Sequence, residues 1–509
     1  MTDNVNMTEK NKAEAANGTA EEGKKEGKRV LVNLMRLLVI LTLLVVTYFT
    51  LDRILLIKSE DGIDQIRSYY KQPEGTVDAL FVGSSHIFCH VNTGVLWDEY
   101  GISGFDLAGA EQPYWNSFYY IKEALKTQRP KVIVLDISTP GIRPTDYQPE
   151  NWLITNTYGI KRNRNRYDAI KISALKDSFS RVLIPLNSTH GKYSQLSELD
   201  FIDYNDSVNY KGFDPRETVI PFERPDVSGV TDRGELSEKE EEYLRKIIEY
   251  VQGTGIPLLF ISSPYVVNAE EQAKYNTIFD IADEYGVPYI DFNLKYDEMG
   301  LDFATDIAEV LHLNRSGNEK FTRLLGAYLK KDYGLTDHRG DSAYKSWDND
   351  ALYQRQDTLA YNTNMAALYG EGGKYLDLLN NENHIIFVTV PPAYEGLKDE
   401  SLKQYLEALG LTADKLADVG AFILHGGECI YSSNEYDFKA AISDGNRRLL
   451  FYRTTNEDNG YMQTFVKLNG EMGFQKVTEY SNYEMPLDGV AIYAYDTVLD
   501  KTLEPYVIH

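Results

Sequence analysis

The sequence predicts an α/β protein built on a parallel sheet of the doubly wound kind, with one membrane-spanning helix before it and a smaller α+β domain after it. Three observations carry this reading. Short apolar runs alternate with longer amphipathic segments from residue 76 onward, the helical segments carry start and stop residues, and hydroxyl and imidazole groups stand just beyond the apolar runs.

At the amino terminus, residues 1–28 are polar and show no apolar period, which predicts a disordered, cytoplasmic tail. Residues 29–57 follow as a transmembrane anchor. Leu37 to Leu51 contains no charge, and adding Val30 to Arg36 gives a helix of about 33 Å at about 1.5 Å per residue, enough to cross a bilayer. Lys24, Lys25, Lys28 and Arg29 precede the span, so the positive-inside rule places the amino terminus in the cytoplasm and the bulk of the chain outside. A cleaved signal peptide would need a small-x-small site after the apolar stretch, and "TYFTLDRILL" offers none. Only Cys89 and Cys429 occur, so no disulfide framework is expected.

The first folded unit is expected over 70–335. "VDALFV", "GFDLAG", "KVIVLDI", "PLLFIS" and "VPYIDF" read as strands, and their continuous hydrophobicity suits a sheet buried on both faces. Between them, "SEKEEEYLRKIIEYVQG" opens with Ser237 as N-cap and Glu240 at the capping-box position and places Tyr243, Leu244, Ile247, Ile248 and Val251 on one face. "QPYWNSFYYIKEALKTQ" and "NRSGNEKFTRLLGAYLKK" are two further helices. Right-handed crossovers then put a ligand site at the carboxyl ends of the strands. Residues 336–375 leave the periodic pattern as a connecting segment that wraps back on the first domain before a helix. Over 376–509, "HIIFVTV", a hairpin turning at Gly426-Gly427, "RRLLFYRT" and "GVAIYAYD" read as strands, and "DESLKQYLEALGL" as a helix.

Composition narrows the chemistry. A chain of 509 residues with 43% hydrophobic and 25% charged residues holds two or three domains, and a formal net charge of −25 argues against nucleic acid as a partner. The one basic cluster, Lys161 to Arg166, is read as a solvated loop or as a contact with an anionic polymer or headgroups.

Ser85 stands at a strand end in "ALFVGSSHIF". A serine becomes a nucleophile when a base accepts its proton, and the base works best when a carboxylate holds its other nitrogen. The segment "LDFATDIAEVLHLNRSG" supplies His312 as that base, with Glu309 three residues and Asp306 six residues before it. Either acid fits the orienting role. His86, Cys89 and His90 lack a second cluster at ligand spacing, so no metal is expected, and His190 reads as a cleft rim or an ordinary loop histidine.

Residues 76 to 335, through "ALFVGSSHIF", "DLAGAEQ" and "TDIAEVLHLNRSG", resemble the SGNH (GDSL-type) hydrolase superfamily, and more closely its membrane-anchored bacterial branch related to teichoic acid D-alanyl transfer and alginate O-acetylation proteins. The resemblance implies a flavodoxin-like three-layer α/β/α fold, Ser85 as nucleophile, His312 as base and the Gly109 backbone N–H as an oxyanion donor, with no cofactor. Two departures stand out: Glu309 replaces the aspartate of the Asp-x-x-His block, and no Gly-x-Asn-Asp block occurs. Gln112 and Asn116 are the nearby amides that stand in for its asparagine. The activity so implied is that of an extracellular serine esterase or O-acyltransferase on a cell-surface polysaccharide or teichoic acid-like polymer, served by a multi-pass membrane O-acyltransferase. The competing reading is an inactive protein that keeps the fold to bind glycan or scaffold an envelope assembly complex. The C-terminal strands "HIIFVTV" and "GVAIYAYD" resemble the interleukin-like EMT inducer module, a β-sandwich-like domain; no nucleophile and base pair stands out there, so substrate binding or docking is the role expected.

Overall fold

The computed structural model describes residues 3–142, 146, 148–202, 210–390, 400–412, 420–435, 437–445, 447–456, 461–468, 471–479, 490–503 and 506–508. A single helix, Asp3–Leu55, opens the chain. The polar tail is therefore helical rather than disordered. It is rich in Ala, Glu and Lys, and it extends a helix already formed by the apolar stretch, so no separate nucleation is needed. Within it, Gly27–Leu55 is the one stretch among the described residues long and apolar enough to cross a membrane, and its most apolar window is not buried by the protein.

The next domain holds five parallel strands, β1 (Ala79–Gly83), β2 (Gly104–Ala108), β3 (Val132–Asp136), β4 (Leu258–Ser262) and β5 (Tyr289–Asp291), in the order β2-β1-β3-β4-β5. Strand order reverses between β1 and β3, which is where a doubly wound sheet opens a crevice. Alternate residues of each strand serve different layers. Leu80, Val82, Ile133, Leu135 and Phe260 pack with the helices Tyr114–Ala124, Glu238–Thr254 and Ala269–Tyr285, whereas Ala79, Phe81, Val134 and Ile261 pack with Thr93–Tyr100 and Arg315–Tyr333. Three α/β/α layers result. The capping box forms as expected: Ser237 Oγ accepts from the Glu240 N–H, and Glu240 accepts from the Ser237 N–H at 2.9 Å. This helix runs to Thr254 and stops at Gly255, whose φ of 75° is the left-handed conformation that glycine adopts without strain.

After the sheet, the helix Lys345–Leu368 lies across Thr93–Tyr100. Trp97 Nε1–H donates to Asp348 at 3.0 Å, Gly94 N–H donates to Gln354 at 2.9 Å, and the buried Lys211–Asp350 pair closes at 2.9 Å. The helix Lys345–Leu368 thus packs against the first domain.

Two antiparallel sheets form the C-terminal domain. The first contains β8 (His384–Thr389), β9 (Ala421–His425), β10 (Glu428–Ser433) and β15 (Val490–Asp496), with the short β16 (Lys501–Thr502) and β17 (Tyr506–Ile508) on β15. The second is β11 (Phe438–Asp444), β12 (Arg447–Asn456), β13 (Tyr461–Leu468) and β14 (Glu471–Glu479), of which only β12 is announced by a continuous apolar run. Ile385, Phe387, Ile423, Phe451 and Tyr493 fill the space between the sheets. On the outer face of the first sheet pack Leu376 and Leu379 of the helix Gly372–Leu379, and Leu402 and Leu406 of Glu400–Ala408.

Candidate active site

The site sits at the carboxyl ends of β1 and β3. β1 runs into Gly83, where an added Cβ would lie 2.9 Å from the Cβ of Asp136, so only glycine lets the two strand ends approach this closely. Ser84 then occupies the N-cap position of the short helix Ser85–His90 without a side-chain capping bond, which puts Ser85 at the first helical position. A helix leaves the N–H groups of its first turn without intrahelical partners, so the Ser85 amide is free of helix bonding beside its own hydroxyl.

His312 arrives on a device the sequence does not announce. The loop after β5 contains a two-stranded hairpin, β6 (Ile307–Glu309) and β7 (His312–Leu313), in which Glu309 and His312 are direct cross-strand partners. Facing partners in an antiparallel pair project to the same side, which is why an acid three residues before the histidine meets it. His312 Nδ1–H donates to Glu309 Oε1 at 2.6 Å, and the Ser85 hydroxyl donates to His312 Nε2 at 2.7 Å. The structure thus brings Ser85, His312 and Glu309 into one hydrogen-bonded line. Burial holds the His312 pKa below its ordinary value and Arg216 pushes the same way, while Glu309 works against both. The imidazole is accordingly neutral near pH 7, the state that accepts a proton.

Asp306 is the acid that the structure removes from this role. Its carboxylate is buried and accepts from Lys320 Nζ at 2.6 Å, from the Asp302 N–H at 2.7 Å and from the Ser316 hydroxyl at 2.7 Å, so it fastens the loop to the helix Arg315–Tyr333. Gln112 and Asn116 are likewise directed elsewhere: Gln112 Nε2 donates to Ser117, and Asn116 Nδ2 donates to Gln148 while its oxygen accepts from Ser173. Both are fully buried and neither lines the pocket. The Gly109 N–H lies 3.4 Å from the Gly83 carbonyl, a long bond at the end of the β1–β2 ladder. A Cβ at Gly109 would lie 2.1 Å from Asn156 Oδ1, so any other residue there requires the Asn156 side chain to move. His190 lies in the 3-10 helix His190–Gln195, outside the Ser85 pocket.

A cavity of about 160 Å³ opens in front of Ser85 and His312. Thr139, just past β3, together with Phe88, Trp152, Arg216, Glu111 and Asp61, completes its walls. Thr139 is legible in principle, because the chain after β3 is where this fold places a site residue. Trp152 and Arg216 come from segments without periodic signal. Glu111 has a φ of 47°, an uncommon backbone for a non-glycine residue and one found at the cavity wall. Arg216 reaches Asp214 at 2.8 Å and Asp61 at 3.3 Å, and burial, reinforced by the Asp214 charge, raises Asp61 to about 7. A second cavity of about 540 Å³ shares Asp61 with the first and carries Glu60, Asp64, Asp214 and Glu217 on its walls.

Behind the catalytic imidazole lie two more. His86 and His90 stack with centroids 5.0 Å apart, and each meets His312 edge-on at 5.8 Å. His90 Nε2 accepts the Leu313 N–H at 3.1 Å, which pins the backbone next to His312. Burial lowers the pKa of His86 to about 3 and raises that of Asp136, 3.8 Å away, to about 6.

No family model and no curated protein matches this chain. Among solved structures it is similar to a lipolytic protein of the G-D-S-L family from Desulfitobacterium hafniense, at 9% identity and a TM-score of 0.27, covering 50% of this chain and 97% of that one. It is also similar to an acylhydrolase from Bacteroides fragilis, at 10% identity and a TM-score of 0.27 over 52% of this chain and 93% of that one. An acetylxylan esterase from Geobacillus stearothermophilus is similar at 11% identity and a TM-score of 0.27, over 53% of this chain and 99% of that one.

Proposed function

We propose that this chain is a membrane-anchored serine esterase or O-acyltransferase that handles a small acyl group on a cell-surface glycan. The observation that carries the reading is the unbroken line from the Ser85 hydroxyl to His312 Nε2 and from His312 Nδ1–H to Glu309, at a strand edge and in front of a cavity. In the proposed reaction the Ser85 Oγ attacks an ester carbonyl while His312 takes its proton. The Ser85 N–H faces the developing oxyanion, and the alkoxide leaves with the proton from His312. Water or a second hydroxyl then attacks the acyl-enzyme, with His312 as base again. Glu309 keeps the imidazole in the tautomer whose Nε2 is open to the serine.

Size and polarity support the substrate class. A cavity of about 160 Å³ is below the range of drug-sized sites and suits an acetyl-like group rather than a long chain. The adjoining cavity is polar, with Arg216 pairing Asp61 and Asp214 and Arg315 pairing Glu217 beside Glu60 and Asp64, which suits a hydroxyl-rich polysaccharide as the acyl carrier. The cations that precede the apolar helix support an outward-facing catalytic domain. By the motif resemblance, a multi-pass membrane O-acyltransferase is the proposed acyl source.

The Gly109 amide bound to Gly83, with Gln112 and Asn116 used elsewhere, favours the second reading of an inactive glycan-binding protein. Labelling of the full chain with a fluorophosphonate separates the two. Ser85-dependent labelling that disappears in Ser85→Ala supports the enzyme; equal labelling of both proteins, or none, with glycan binding retained, supports the binder.

A further inference from the structure

The end of the N-terminal helix does not stand free. Arg162 pairs with Asp52 and lies over the Phe49 ring, Lys192 Nζ donates to the Leu56 carbonyl at 3.3 Å, and Lys58 Nζ donates to the Ile202 carbonyl at 2.9 Å. Residues 184–202 therefore wrap the last turns of this helix. If the apolar stretch ending near Leu51 fills the hydrocarbon layer, whatever touches residues 49–58 sits at headgroup level, since a helix rises only about 1.5 Å per residue.

The outer surface of this wrap is apolar. Ile184, Tyr193, Leu196, Leu199, Phe201 and Ile202 are all exposed, Tyr193 at 71% and Phe201 at 57%. Scattered exposed apolar residues need no explanation, but six within nineteen residues beside a membrane helix form a patch. Next to it stands the basic segment Lys161 to Arg166, anchored to the helix through Arg162. Aromatic and aliphatic groups flanked by cations are what an interfacial segment presents to lipid.

We infer that residues 184–202, with the basic segment 161–166, form a collar that seats the catalytic domain on the bilayer surface. The collar rests on the proposed reading of the helix as an anchor. Its consequence concerns access. Three cavities of about 560, 540 and 160 Å³ follow one another from the collar to Ser85. The first two share Ser59 and Glu60, and the last two share Asp61. The three cavities thus lie in a row between the collar and the nucleophile, each sharing a wall residue with the next, and the occupant of the collar is the bilayer itself, with anionic headgroups beside the exposed Lys161, Arg162 and Arg164.

Site-directed spin labels on the full chain in vesicles containing anionic lipid test this. In a Cys429→Ser background, labels at Phe201→Cys and Ile184→Cys are expected to show an oxygen-to-nickel-chelate collision ratio at least about threefold that at Glu270→Cys, with Leu41→Cys higher still. Ratios at Phe201 and Ile184 equal to that at Glu270, while Leu41 reads as lipid-embedded, overturn the collar alone. An aqueous reading at Leu41 overturns the anchor and the collar with it. Protection from both reagents at Phe201 assigns the face to a protein partner and overturns the bilayer assignment. A second arm uses Leu196→Ser/Leu199→Ser/Phe201→Ser. The rate of Ser85 labelling by a soluble fluorophosphonate is expected to stay within about twofold, and that by a lipid-tethered one to fall about tenfold. An unchanged tethered rate counts against the collar. Absence of labelling by either probe overturns the catalytic reading, and the spin labels still decide the collar.

Discussion

The two folded domains bury polar groups in different ways. In the parallel-sheet domain, Ser84, Ser263, His86 and Asp136 gather at or just beyond the strand ends, fully or nearly buried, several with a polar atom that makes no hydrogen bond. In the C-terminal domain the space between the sheets is filled by aliphatic and aromatic side chains, and the buried His384–Asp496 pair, at 3.3 Å, lies where β8 and β15 begin and end. Buried polar atoms without partners cost stability, so their concentration in one place marks where something other than stability was selected. Among its described residues the C-terminal domain gathers no comparable cluster of serine, histidine and carboxylate at one sheet edge.

The contrast can be broken most sharply at Ser85. Ser85→Ala should lower esterase turnover by about 10⁴-fold or more with unchanged thermal stability, whereas His384→Gln should lower stability and leave turnover intact. Turnover with a small chromogenic ester and a melting curve check both. An active Ser85→Ala would erase the functional difference between the domains.

Next in size is the seat of the connecting helix on the first domain. Lys211 is buried, pairs with Asp350 and lies over the Trp347 ring at 4.0 Å. Lys211→Ala leaves Asp350 without its counter-charge and is expected to cost about 3 kcal/mol, read by chemical denaturation.

The two acids near His312 sharpen the comparison within the site. Glu309→Gln should reduce turnover about a hundredfold with little loss of stability, because its carboxylate is half exposed and its partner is the catalytic ring. Asp306→Asn should do the reverse, with turnover near normal in the folded fraction and a loss of about 2 kcal/mol, because three donors lose a charged acceptor. Equal kinetic effects would refute the assignment of Glu309.

The smallest effect is on pH dependence. His312 must be neutral to act, so turnover should rise with pH through a midpoint below the ordinary 6.5 and then level off. His86, lowered to about 3, binds its proton more weakly folded than unfolded, so its contribution to stability is present above 6.5 and is lost as pH falls toward 3. Asp136, raised to about 6, acts in the opposite sense between about 6 and its ordinary 3.8, so the net slope there is shallow. His86→Phe leaves the Asp136 effect unopposed, so stability measured by denaturant titration should rise, relative to the unaltered chain, as pH falls from about 6 toward 3.8.

The five strands of the parallel sheet, the capping box at Ser237 and Glu240, and the presence of a strand-end serine and of a histidine with acids just before it are written in local pattern. Each depends on hydrophobic period or on residue types that a turn or a proton transfer requires. Continuous apolar runs could only be buried strands, and their alternation with helical faces left one layer arrangement.

What local pattern could not decide was which of two acids, three residues apart, faces His312. That depends on the register of the hairpin from Ile307 to Leu313 and on Lys320, Ser316 and the Asp302 amide claiming Asp306 first. Nor could it decide that the basic segment Lys161 to Arg166 meets the N-terminal helix, since Arg162 and Asp52 stand 110 residues apart. Side-chain partners chosen across such distances are set by packing of the whole chain, and no local period records them.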